Sequence, residues 1–154
     1  MKCTAVSLVS LIALMAAPAR AADAFYLGTW KLSTAVTAPW ADAKLTPDEA
    51  EKARLIGKTI AFAPKRISGP NPFACTAPHY KVSEFAPDMI FQGAFGEMQV
   101  NDKKADPGKL AASLGFAGRS IKTLETGCEI DFHFVDATTA EAAINNIVYT
   151  LKKQ

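Results

Sequence analysis

Short strand-like stretches, several of them alternating apolar and polar side chains, recur along this chain, and they limit the folds open to it. The segments are Phe25 to Val36, Lys58 to Phe62, His79 to Phe85, Arg119 to Thr126, Glu129 to Val135 and Ile147 to Leu151. A period of two places successive side chains on opposite faces of a strand, so each segment can bury one face and wet the other. Met89 to Phe95 (MIFQGAF) is a compact apolar run that reads as a further strand. Pro64, Gly69, Pro70, Pro72 and Pro78 predict a long loop or broken edge between residues 64 and 78. Strands this short and this closely spaced predict a mainly β, antiparallel barrel or compact sandwich of about seven or eight strands.

Three helical signals interrupt the pattern. Thr46-Pro47-Asp48-Glu49 is a capping box that opens a helix over residues 47–56, with Gly57 as its stop. Asp106-Pro107-Gly108 opens a second short helix that Gly115 ends. Thr138 and Glu141 have capping-box spacing and predict a turn or two of helix through Asn145.

Residues 1–21 carry the three parts of a secretory signal peptide. Lys2 is basic, Ala5 to Ala17 is apolar apart from two serines, and Ala19-Arg20-Ala21 is a small-x-small cleavage site. The expectation is a single domain over residues 22–154, periplasmic or secreted, with no stable membrane insertion. The 17 basic and 15 acidic side chains come into balance once Lys2 and Arg20 are removed. A neutral domain has no basic field for nucleic acid. Cys75 and Cys128 are then the remaining cysteines, and export predicts a Cys75–Cys128 disulfide.

Candidate chemistry is sparse. Alternation sets Ile130, Phe132 and Phe134 on one face of their strand, with Glu129, Asp131 and His133 on the other. Acids beside a histidine can orient an imidazole. A solvated outer face is the expected setting of this trio, and a polar cavity inside a barrel is the alternative. His79 and His133 lack a third ligand at metal spacing, so no metal, cofactor or catalytic residue is assigned. Trp40, in the linker after the first strand, and Phe73, on a rigid proline loop, are candidate contacts for a ligand or protein partner.

Gly28-Thr29-Trp30 resembles the Gly-x-Trp motif that opens lipocalin-like (calycin) barrels. The resemblance implies a lipocalin-like barrel whose lower end Trp30 closes under a basic side chain of the last strand, with Lys152 or Lys153 in that place. The family's second, Thr-Asp-Tyr type motif is absent. Small exported bacterial barrels with one disulfide also include inhibitors of lysozyme and of secreted proteases. The periplasmic lysozyme inhibitors carry a Ser-Gly-x-x-Tyr loop, and Ser68-Gly69-Pro70-Asn71-Pro72 is similar but has proline in the tyrosine's place.

These readings combine into one expectation. The protein is a non-catalytic binding protein of the bacterial cell envelope that holds a small apolar or amphipathic ligand in the barrel. Trp30 closes the bottom, Trp40, Phe73 and Tyr80 stand near the mouth, and His133 is a further contact. The alternative is an inhibitor of lysozyme or a protease that acts through the Ser68 to Phe73 loop.

Overall fold

The computed structural model describes residues 24–42, 44 and 48–154. The leader, Cys3, Thr46 and Pro47 lie outside them. Among the described residues, β1 is Gly28–Thr37, β2 Thr59–Ala63, β3 Arg66–Ser68, β4 Lys81–Phe85, β5 Ile121–Glu125, β6 Phe132–Phe134, β7 Thr139–Ile144 and β8 Ile147–Lys153. Helices are α1 Glu49–Leu55, α2 Ile90–Asn101 and α3 Pro107–Ser113.

All eight strands form one antiparallel sheet in the order β3-β2-β1-β8-β7-β6-β5-β4, curled into a half-barrel. Chain neighbours are sheet neighbours throughout, except that β1 pairs with β8 and no ladder joins β3 to β4 among the described residues. The two edges are instead tied by side chains. Cys75 lies beside β3, exchanging backbone hydrogen bonds with Ile67, and it is bonded to Cys128 in the loop between β5 and β6. The Tyr80 hydroxyl, at the entry to β4, donates to the carbonyl of Ala63, the last residue of β2, at 2.9 Å.

One face of the sheet is filled by its own side chains. Trp30, Leu32, Ile60, Phe62, Leu124, Phe132, Tyr149 and Leu151 are all buried there, together with Leu55 of α1 and Phe73 of the proline loop. Edge-to-face ring pairs link them, including Phe62–Phe132 at 4.8 Å and Trp30–Phe134 at 5.5 Å. The Trp30 indole donates to the Tyr26 carbonyl, and Lys153 Nζ stands 5.5 Å from its ring centroid. Lys152 faces the other way and donates to Thr139 Oγ1.

Helices α2 and α3 cover the opposite face, where Ile90, Phe91, Phe95, Ala111 and Phe116 pack on Ile121 and Val148. Asp106 caps α3 through the Gly108 and Lys109 amides, as its sequence predicts. Asp48 is the observed cap of α1, accepting from the Glu51 amide.

Two predicted elements are corrected. Met89 to Phe95 is not a strand but the start of α2, because an apolar run of this length fits a buried helix as well as a strand. Its glycines carry the difference. Gly93 has φ 83°, and a Cβ on Gly96 would come within 3.0 Å of the Asp88 carbonyl, whose close approach folds the segment back on itself. The helix predicted from Thr138 to Asn145 is β7, a central strand. Its alanines suit a helix, yet Ala140, Ala142 and Ile144 alternate onto the filled face while Thr139 and Glu141 point to the other. Thr138 closes a turn on Asp136, whose carboxylate accepts its amide and hydroxyl, and Asn145 takes φ 53° in the turn to β8. Strand β3 was hidden among the prolines.

The disulfide closes a chain separation of 53 residues. Loop-closure entropy for that length predicts that a Cys75→Ser, Cys128→Ser variant loses roughly 4 kcal/mol of stability, to be read from urea unfolding against the oxidised parent. Among the described residues, the buried Tyr149 hydroxyl has no hydrogen-bond partner. Tyr149→Phe is therefore expected to unfold at an unchanged or slightly higher urea concentration.

Candidate functional site

Strand register builds a row of polar side chains across the helix-covered face. Ser83 of β4, Thr123 of β5, His133 of β6, Glu141 of β7 and Thr150 of β8 are paired one to the next. Residues directly opposite in an antiparallel pair share a face, so the five form one rung. Its middle is buried: Thr123 is 0% exposed, His133 4% and Glu141 4%. His133 is thus neither on a solvated face nor inside the half-barrel. The first turn of α2 covers it.

That turn is left-handed. Phe91 (φ 50°, ψ 45°), Gln92 (φ 59°, ψ 32°) and Gly93 (φ 83°, ψ 10°) follow one another in the αL region, before the helix continues right-handed. Only glycine enters this region without a steric cost, so Phe91 and Gln92 are strained by roughly 1–3 kcal/mol each. His133 holds the turn in place. The Phe91 amide donates to His133 Nε2 at 3.1 Å, and the Phe91 ring meets the imidazole edge-on at 4.5 Å between centroids. An Nε2 that accepts carries no proton, so the neutral ring is protonated on Nδ1, which donates to Thr123 Oγ1 at 2.8 Å. Burial lowers the His133 pKa to about 3.

Glu141, next along the rung, accepts from Thr150 Oγ1 at 3.1 Å. Burial pushes its carboxyl up to about 7, against the opposing effects of that hydrogen bond and of Lys152.

Beside the left-handed turn lies a cleft of about 260 Å³. Trp40, Phe91 and Gln92 line one side, Ala143 and Asn145 another, and Glu129, Ile130, Asp131 and His133 the third. Trp40 reaches it because the chain leaving β1 crosses the β7–β8 turn, where its indole points at the Asn145 carbonyl, 3.4 Å away. The Trp40 ring packs on Phe91 (5.1 Å) and Phe95 (5.7 Å). The acidic wall is set by the loop between β5 and β6, anchored by Cys128. Thr126 Oγ1 donates to the Ile130 carbonyl, and the Thr126 amide donates to Asp131 Oδ1. Burial raises the Asp131 carboxyl above the usual aspartate range, aided by the charge of Glu125.

Of the five residues singled out from the sequence, Trp40 and His133 meet at this cleft. Trp30 and Phe73 are buried on the opposite face of the sheet, and Tyr80 ties its edges. Phe91 and Gln92 escaped notice in a run read as a strand. The spaced glycines at 93 and 96 were the signal available.

The imidazole's chemistry is limited by its surroundings. Both ring nitrogens are engaged, and a base of such low pKa is too weak to take protons near neutral pH. Among the described residues, no group of three His, Cys, Asp or Glu side chains is placed to hold a metal ion. None of the described helices is long and apolar enough to cross a membrane. No protein-family profile, characterised protein or solved structure matches this chain.

The two buried groups give opposite pH signatures. His133, depressed from 6.5 to about 3, contributes stability above pH 6.5 that is lost as pH falls toward 3. Glu141, raised from 4.5 to about 7, contributes stability below pH 4.5 that is lost as pH rises through 7. Glu141→Gln is expected to raise stability by about 2 kcal/mol at pH 8 and to change little at pH 4.5, measured by urea unfolding at both. His133→Ala removes the acceptor of the Phe91 amide and the donor to the Thr123 hydroxyl, and should cost about 3 kcal/mol at pH 7.

Proposed function

We propose that this protein is an exported, non-catalytic binding protein of the cell envelope that holds a small amphipathic ligand. The site is the cleft between Trp40, Phe91 and the Glu129–His133 wall, on the helix-covered face. The observation that carries the reading is the strained left-handed turn at Phe91–Gly93, pinned by a buried neutral histidine at the edge of an aromatic-lined cleft. Strain of this kind gathers where a backbone must present side chains to a ligand. The filled face of the sheet is occupied by its own rings, which favours the cleft over the half-barrel interior as the place for a ligand. At about 260 Å³ the cleft suits a small molecule, near the lower end of known ligand pockets. Export rests on the leader-like residues 1–21 and on the disulfide, which persists in oxidising compartments.

One observation favours the inhibitor reading. The Ser68 to Phe73 loop is held at its base by the Ile67–Cys75 hydrogen bonds and in its middle by Arg54, which donates to the Asn71 carbonyl. A loop pinned in this way loses little entropy on binding a protein. Its aromatic residue, Phe73, is only 2% exposed, so such a contact falls to Ser68, Gly69 and Asn71.

Native mass spectrometry of protein purified without denaturation is expected to show a reproducible small-molecule adduct that the Trp40→Ala variant loses. An adduct-free parent that also fails to enhance N-phenyl-1-naphthylamine fluorescence overturns the cleft reading. Inhibition of lysozyme or of a secreted protease, abolished by shortening the Ser68 to Phe73 loop, is the result that favours the alternative.

A further inference from the structure

Resting on the ligand-binding reading of the cleft, we infer that its ligand is an organic ammonium ion with a small apolar body. The cation sits between the Trp40 and Phe91 rings and the Asp131 carboxylate. Three features of the cleft point the same way.

The first is charge. Its lining holds two carboxylates, Glu129 and Asp131, and no lysine or arginine. Neither acid has an ion-pair partner among the described residues. His133, the remaining titratable group of the wall, is held neutral by the Phe91 amide and cannot serve as their counter-ion.

The second is the state of Asp131. It is half-buried, and among the described residues only the Thr126 amide donates to it, at 3.3 Å. A carboxylate withdrawn from water with one long hydrogen bond and no cation is electrostatically unfinished, and a ligand cation would complete it. Burial already holds its pKa above the usual range, consistent with an uncompensated charge.

The third is the aromatic lining. The Trp40 and Phe91 rings, 5.1 Å apart at an interplanar angle of 42°, line the same cleft as the two acids. Aromatic faces, tryptophan's above all, attract ammonium groups through their quadrupole and also accept an apolar body. An anionic ligand meets repulsion from both acids and no basic partner. A bare metal ion finds no group of three ligating side chains among the described residues.

The test is an NMR titration of ¹⁵N-labelled protein near pH 7 with three probes of similar size: 2-phenylethylamine, 2-phenylethanol and 3-phenylpropionate. An alkyl amine is protonated at that pH. The amine is expected to move the Trp40 indole N–H signal saturably, leave the buried Trp30 signal in place, and bind at least about tenfold more tightly than the alcohol. Asp131→Asn should remove most of that preference and the exposed Glu129→Gln part of it. An unshifted Trp30 signal reports that each variant is folded, and Asp131→Ser replaces Asp131→Asn if that signal collapses. An alcohol or propionate that matches the amine at Trp40 overturns the cation and leaves the cleft as a ligand site. A preference undiminished in both acid variants overturns the cation as well. Silence of Trp40 toward all three probes overturns the cation and the cleft together.

Discussion

A single neutral imidazole joins the two layers of this protein. His133 sits at the middle of a buried polar rung, where its Nδ1–H is taken by Thr123 and its Nε2 is free to accept. The group that supplies the proton is the Phe91 amide, one of the first-turn donors that a helix cannot satisfy internally. Two consecutive non-glycine residues in the left-handed region carry a real conformational cost. Several contacts offset it: a buried hydrogen bond that neither partner can replace with water, and the packing of Phe91 against His133, Trp40, Phe95 and Phe116. The helix cover, the shape of the turn and the wall of the cleft all follow from satisfying that ring.

The two faces of the sheet solve different problems. One is a dry aromatic core, closed not by a final ladder but by the Cys75–Cys128 bond and the Tyr80 hydroxyl across the gap between β3 and β4. The other carries ionisable and hydroxyl side chains that cannot be buried without partners, so it needs a cover that brings donors as well as apolar groups. Helix α2 brings both, but it leaves Glu141 strongly desolvated and Asp131 partly so. A cleft remains where the cover ends, on the polar face.

Much of this architecture can be read from the residues. The alternation of Trp30 and Leu32, of Phe132 and Phe134, and of Tyr149 and Leu151 marks one face of a sheet, and the cap at Asp106 marks a helix start. The cysteine pair also follows from count and context. Residues 138–145 mislead because alanine and a capping-box spacing favour a helix locally, while pairing on both sides by β6 and β8 makes the segment a strand. Residues 89–95 mislead because a short apolar run has no periodicity that separates a strand from a buried helix turn.

The alternation by itself determined a mainly β chain with one aromatic face, since a period of two leaves no other way to bury those side chains together. It also put Glu129, Asp131 and His133 on a common side. What lies over that side was decided only in the tertiary structure. The rung from Ser83 to Thr150 draws one residue from each of five strands, and its cover comes from a segment about forty residues earlier than His133. Sequence spacing carries no record of such long-range register, because it depends on which strands become neighbours when the sheet curls.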